Sequence, residues 1–184
     1  MTETEFLEHV TRRLREAGVP SMVVGSVASS FHGEPRLSYD VGILVDATLD
    51  QLLSFVQSFD LPFYVSEAAM RQAFGRGGMF NVIHPESEYK ADIVLQRGRG
   101  FDQAEFERRM PACIWGVDTY VTTAEDTILS KLEWSTKGES ERQYRDAVRV
   151  AEVQGPALDL AYMRKWAGEL GVTDLLERLL NEAT

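Results

Sequence analysis

The sequence predicts a mixed α/β fold, a mixed sheet flanked by helices, with a helical C-terminal part. Three observations carry this expectation. Short apolar runs of strand length recur at 21–24, 41–45, 79–84, 90–95 and 117–121, separated by stretches of helical periodicity. Beyond residue 122 only helical patterns follow one another. The chain of 184 residues, 44% apolar and 26% charged, has the length and composition of one soluble domain with its own core. The chain therefore divides near residue 122, into an α/β core over 1–122 and a helical region over 123–184 packed on it.

Each element has a local reason. Phe6, Leu7, Val10, Leu14 and Ala17 share a helical face over 4–17, and Gly18 and Pro20 stop that helix. Residues 21–24 read as a short buried strand and 26–31 as a helix ended at Gly33. Glu34-Pro35-Arg36 is a loop, because the residue before proline avoids helical angles. A strand over 41–45 is followed by a helix over 49–59, with Leu52, Leu53, Val56 and Phe59 inward. A short strand at 63–65, a helix at 67–74 and a glycine-rich break at 75–78 lead to a hairpin. Its strands, 79–84 and 90–95, are joined by Pro85-Glu86-Ser87-Glu88. A helix over 101–109 and a strand over 117–121 complete the core. Thr122-x-x-Glu125 has the spacing of a capping box and starts a helix over 123–134. Polar residues 135–141 form a loop, and helices follow at 143–154, 158–170 and 174–183.

Composition excludes several classes. No apolar run approaches the roughly 18 residues a membrane span needs, and the glutamate-rich start of the chain is unlike a signal peptide. A single cysteine, Cys113, rules out an internal disulfide and reads as a small packed side chain. A cytoplasmic setting is the expectation. The net charge of −10 opposes bulk binding of nucleic acid; Arg12, Arg13, Arg15, Arg97, Arg99, Arg108 and Arg109 read first as solvated surface charge and are the residues of any local basic patch. Arg145 and Asp146, with Arg142 and Arg149 at helical spacing, read as intrahelical ion pairs.

The chemistry concentrates in two strands. Alternation puts Asp40, Gly42 and Leu44 on one strand face and Lys90, Asp92 and Val94 on one face of another. Asp92, flanked by apolar residues, requires a partner: a metal, an arginine or a lysine. If the two strands are neighbours, Asp40 and Asp92 approach and need a cation between them.

Val23-Val24-Gly25-Ser26, then Asp40-Val41-Gly42, then Asp92 within Lys90-Ala91-Asp92-Ile93-Val94, resemble the nucleotidyltransferase superfamily, and within it the bacterial group related to AbiEii-type toxins. Ala28, His32-Gly33, Arg36 and Ser38 fit that group's surroundings, and Lys131 and Arg145-Asp146 match it loosely. The resemblance implies a protein that binds a nucleoside triphosphate with Mg²⁺ and moves a nucleoside monophosphate onto a hydroxyl of a protein, an RNA end or a small molecule. It implies Asp40 and Asp92 as metal ligands and catalytic acids, and Gly25, Ser26, Arg36 and Lys131 as phosphate contacts. The second acid of the family's Asp-x-Asp is Gly42 here, which implies a weakened metal site. It also implies an alternative role as a catalytically impaired nucleotide sensor or toxin–antitoxin-type interaction partner.

Overall fold

The computed structural model describes residues 1–36, 38, 40–138 and 140–183. Along these the chain runs α1 (Glu3–Glu16), β1 (Ser21–Val24), α2 (Gly25–His32), β2 (Asp40–Val45), α3 (Leu49–Gln57), β3 (Tyr64–Val65), α4 (Glu67–Arg76), β4 (Met79–His84), β5 (Tyr89–Leu95), α5 (Gly100–Glu107), β6 (Met110–Ile114), β7 (Val117–Val121), α6 (Ala124–Ser135), α7 (Ser140–Gln154), a 3-10 turn (Gly155–Ala157), α8 (Leu160–Leu170) and α9 (Thr173–Glu182). Thr2 and Thr48 close capping boxes with Glu5 and Gln51, which fixes the starts of α1 and α3.

The sheet is mixed and seven-stranded, in the order β3-β4-β5-β2-β1-β7-β6. β2 pairs parallel with β5 and antiparallel with β1; β4 pairs antiparallel with β5. One sheet face, with Val23, Val41, Ile43, Ala91 and Ile93, is buried under Phe6 and Leu14 of α1, Phe55 of α3 and Met70 of α4. The other face carries Met22 and Leu44, covered by Phe106 of α5. Towards the start of β2 this second face opens to solvent, and Asp40 there is exposed.

Helices α6–α9 bury a second apolar cluster around Ile128, Leu132, Val150, Met163, Trp166 and Leu176. Three contacts seat it against α2. A Cβ at Gly33 would lie 3.0 Å from the Ser29 carbonyl and 3.1 Å from the Val150 nitrogen, so only glycine lets α7 come this close. Gln154 Nε2 donates to the His32 carbonyl (2.6 Å), and the buried His32 ring meets the Thr122 carbonyl through Nε2 (2.6 Å).

Three local readings need correction. β6 is an additional strand, and it tolerates Pro111 because it lies at the sheet edge, where a missing N–H costs nothing. The N-cap of α6 is Thr123, which accepts from the Asp126 N–H, whereas Thr122 is buried and donates to Glu105. Cys113, on that edge strand, is exposed.

Candidate functional site

The parallel register sets Gly42 opposite Asp92 and Asp40 opposite Lys90, so all four point to the same sheet face. There the Lys90 ammonium lies 3.3 Å from Asp40 Oδ2 and 3.2 Å from Asp92 Oδ1. Asn81, paired with Asp92 across the hairpin, donates to the same Oδ1. Partial burial works against the Lys90 charge, but Asp92 and Asp40 outweigh it and hold its pKa above the ordinary lysine value. The cation that two converging carboxylates require is therefore an internal one.

Next to this pair, β1 ends and α2 begins. Val24 pairs with Gly42, so the turn at Gly25 and Ser26 stands beside the start of β2. Gly25 has φ +69°, a left-handed value that disfavours any other residue, and beyond its chain neighbours and its own helix no described residue comes within 4 Å of the space its Cβ would fill. The first N–H groups of α2 thus border an open space. Arg36 Nη2 donates to Ser26 Oγ (2.9 Å) and to Asp146 Oδ2 (3.2 Å). Lys131 Nζ donates to the same Asp146 oxygen and to Gln143, each at 2.9 Å. Burial tends to raise the Asp146 pKa, but the hydrogen bond and charge of Lys131, with Arg36, bring it below the usual carboxylate range. Lys131 is itself buried, which pushes its pKa down despite Asp146.

The structure brings the residues named from sequence into two linked groups. Asp40 and Asp92 form one; Ser26, Arg36 and Lys131 form the other, with Gly25 at the turn between. Sequence reasoning missed Asn81 and misread the partners of Asp146. Asp146 was expected to pair within its own helix, yet both its partners lie on other elements, because α7 turns this residue toward α2 and α6. Several of the arginines available for a local basic patch are neutralised within the chain. Arg12 and Arg13 pair with Glu16, Arg99 with Asp102 and Glu133, and Arg108 with Glu125 and Asp126. Ser38 donates to the Asp40 carbonyl at the entry to β2.

The carboxylates fit one divalent cation. Mg²⁺ is commonly held by one or two carboxylates, with waters and substrate phosphates completing its shell, and Asp40 and Asp92 already converge on a positive charge. They do not fit a two-ion centre. Gly42 supplies no oxygen, and no three acidic, histidine or cysteine side chains converge among the described residues.

No protein-family model matches the sequence, and no curated protein matches it. Solved structures do match. A nucleotidyltransferase-like antigenic protein from Paracoccidioides brasiliensis superposes with a TM-score of 0.54 at 12% identity, over 96% of this chain and 91% of that one. The antibiotic-resistance factor ANT(2'')-Ia superposes in its solution structure with a TM-score of 0.51 at 13% identity, over 90% of this chain and 95% of that one. In its crystal structure with adenylyl-2''-tobramycin the TM-score is 0.56 at 12% identity, over the whole of both chains. At these identities the likeness is one of architecture, and the chain has the fold of nucleotidyltransferase-like proteins.

Proposed function

We propose that this protein binds a nucleoside triphosphate at the Gly25–Ser26 turn and transfers its nucleoside monophosphate to an acceptor hydroxyl. The observation that carries this reading is the convergence of Asp40 and Asp92 on one point of the sheet face beside that turn. The N–H groups at the start of α2 and the Ser26 hydroxyl would seat phosphate oxygens. Ser26 Oγ accepts from Arg36, which leaves its own proton for the ligand. Lys131 acts from behind, fixing Asp146, which fixes Arg36. Asn81 and Lys90 both engage Asp92 Oδ1, which leaves Oδ2 to take the proton of the acceptor hydroxyl. Asp40 and Asp92 would hold one Mg²⁺, which when bound neutralises the triphosphate and acidifies the attacking hydroxyl.

The motif at 23–46 places the chain, in this reading, beside the AbiEii-related group, with residues 1–122 as its α/β core and 123–184 as a packed helical region. No helix among the described residues is long and apolar enough to cross a membrane, and we assign a cytoplasmic setting. Gly42 and the ammonium between the acids favour a second reading, an impaired module that senses a nucleotide or partners a toxin–antitoxin-type pair. Melting curves with each nucleoside triphosphate, with and without Mg²⁺, test binding. At 100-fold its Kd a ligand stabilises the fold by about 2.7 kcal/mol, and no shift with any nucleotide would sink the transferase reading. Pyrophosphate release by a protein that does bind separates the transferase from the sensor.

A further inference from the structure

Between α7 and the loop that follows α2 lies a cavity of about 210 Å³ lined by Arg36, Arg142, Arg145, Asp146 and Arg149. Among the described residues every side chain that lines it is charged. Positions 142, 145 and 149 share one face of α7, and like charges at such spacing weaken a helix unless something compensates them. Compensation among the described residues is thin. Asp146 is already held by Arg36 and Lys131, and Glu34 stands 3.6 Å from Arg149. Arg142 and Arg145 are exposed and have no ion-pair partner among the described residues. In a chain with a net charge of −10, positive charge is gathered here and left open.

We propose that this pocket is a phosphate-binding site that operates without a divalent cation. Guanidinium groups match phosphate oxygens in two-point hydrogen bonds, and several around one small space select a compact, multiply charged anion. Asp146 orients Arg36 and keeps the cluster from flying apart when the site is empty of anion. Arg36 also touches Ser26, so the pocket adjoins the Gly25–Ser26 turn. The phosphate therefore comes from one of two sources with the same chemistry, the outer phosphates of a nucleotide or a phosphate carried by the acceptor. The proposal itself stands on the arginines and holds whether or not transfer occurs.

The test is calorimetric titration of the full chain with inorganic tripolyphosphate in EDTA. Binding to the wild type is expected. Arg142→Gln with Arg145→Gln should raise Kd at least tenfold with the melting temperature no lower than that of the wild type, since both side chains are exposed and their mutual repulsion is removed. Arg12→Gln with Arg13→Gln removes the same charge from α1 and should change Kd less than twofold. Absence of binding to the wild type, or equal weakening by the two double variants, overturns the proposal. Two further ligands in EDTA identify the source, and either result upholds the site. Weakened ATP binding in the Arg142/Arg145 variant assigns the nucleotide's outer phosphates. Weakened ribose 5-phosphate binding with ATP unaffected assigns the acceptor.

Discussion

The Lys90 ammonium stands 3.2 Å from the Asp92 carboxylate, and from the same point it reaches Asp40 on the neighbouring strand. Two acids on one sheet face repel unless a cation lies between them, and the chain supplies that cation from the residue two places before Asp92. Lys90 therefore competes with any divalent ion for the same oxygens. Replacing it by methionine should raise Mn²⁺ affinity about tenfold, read by electron paramagnetic resonance of the free ion. An affinity no higher than that of the wild type would count against this competition.

Gly42→Asp should restore a metal ligand on the correct face, at a cost. A Cβ at position 42 lies 3.2 Å from both Val24 Cγ2 and the Val24 carbonyl oxygen, so Val24 must give by a few tenths of an ångström. Overpacking of this kind costs about 1–3 kcal/mol. Gly42→Ala should carry the same cost in urea unfolding without the gain in Mg²⁺-dependent nucleotide binding. If the aspartate variant binds no tighter than the alanine variant, Gly42 does not occupy the second acid's position.

The Lys131–Asp146 pair should respond asymmetrically. Both side chains are buried, and removing one partner of a buried pair costs about 3–5 kcal/mol when the other is left uncompensated. Asp146→Asn strands Lys131 and loosens Arg36. Lys131→Met leaves Asp146 with Arg36. The asparagine variant should therefore be the less stable in urea; equal losses would show that Arg36 does not compensate Asp146.

Stability should fall as pH rises from about 4.5 to 8. Glu105 is buried, and burial together with the nearby Asp126 charge pushes its pKa up to about 8. In that window the folded protein holds a proton that the unfolded chain has released, so the stabilisation is full below the unfolded value and is lost as pH climbs through the folded one. The change is on the order of a few kcal/mol. Glu105→Gln keeps an acceptor for Thr122 and Ser130, and thermal melts across this range should then be flatter. A slope equal to that of the wild type would place the titration elsewhere.

Much of the sheet was legible because strand alternation is a local signal. The faces of Asp40, Lys90 and Asp92 followed from the period of two, and the demand for a cation between the acids followed from charge alone. The identity of that cation required the parallel register of β2 on β5, which local pattern does not carry. Asp146 was misread for a similar reason: helical spacing suggests neighbours on α7, while its partners are 110 and 15 residues away. The arginine pocket depends on α7 docking at Gly33, a contact between segments distant in sequence. The acids of α5 and α6 that fold onto Arg99 and Arg108 were likewise not legible from local pattern.

Calorimetric titration of nucleoside triphosphates with Mg²⁺ into the wild type and into Asp92→Asn tests the central claim most directly. The account predicts saturable, Mg²⁺-enhanced binding of at least one nucleotide to the wild type, with the enhancement gone in the variant while its melting temperature holds. Mg²⁺-enhanced binding of equal strength in both proteins would contradict it.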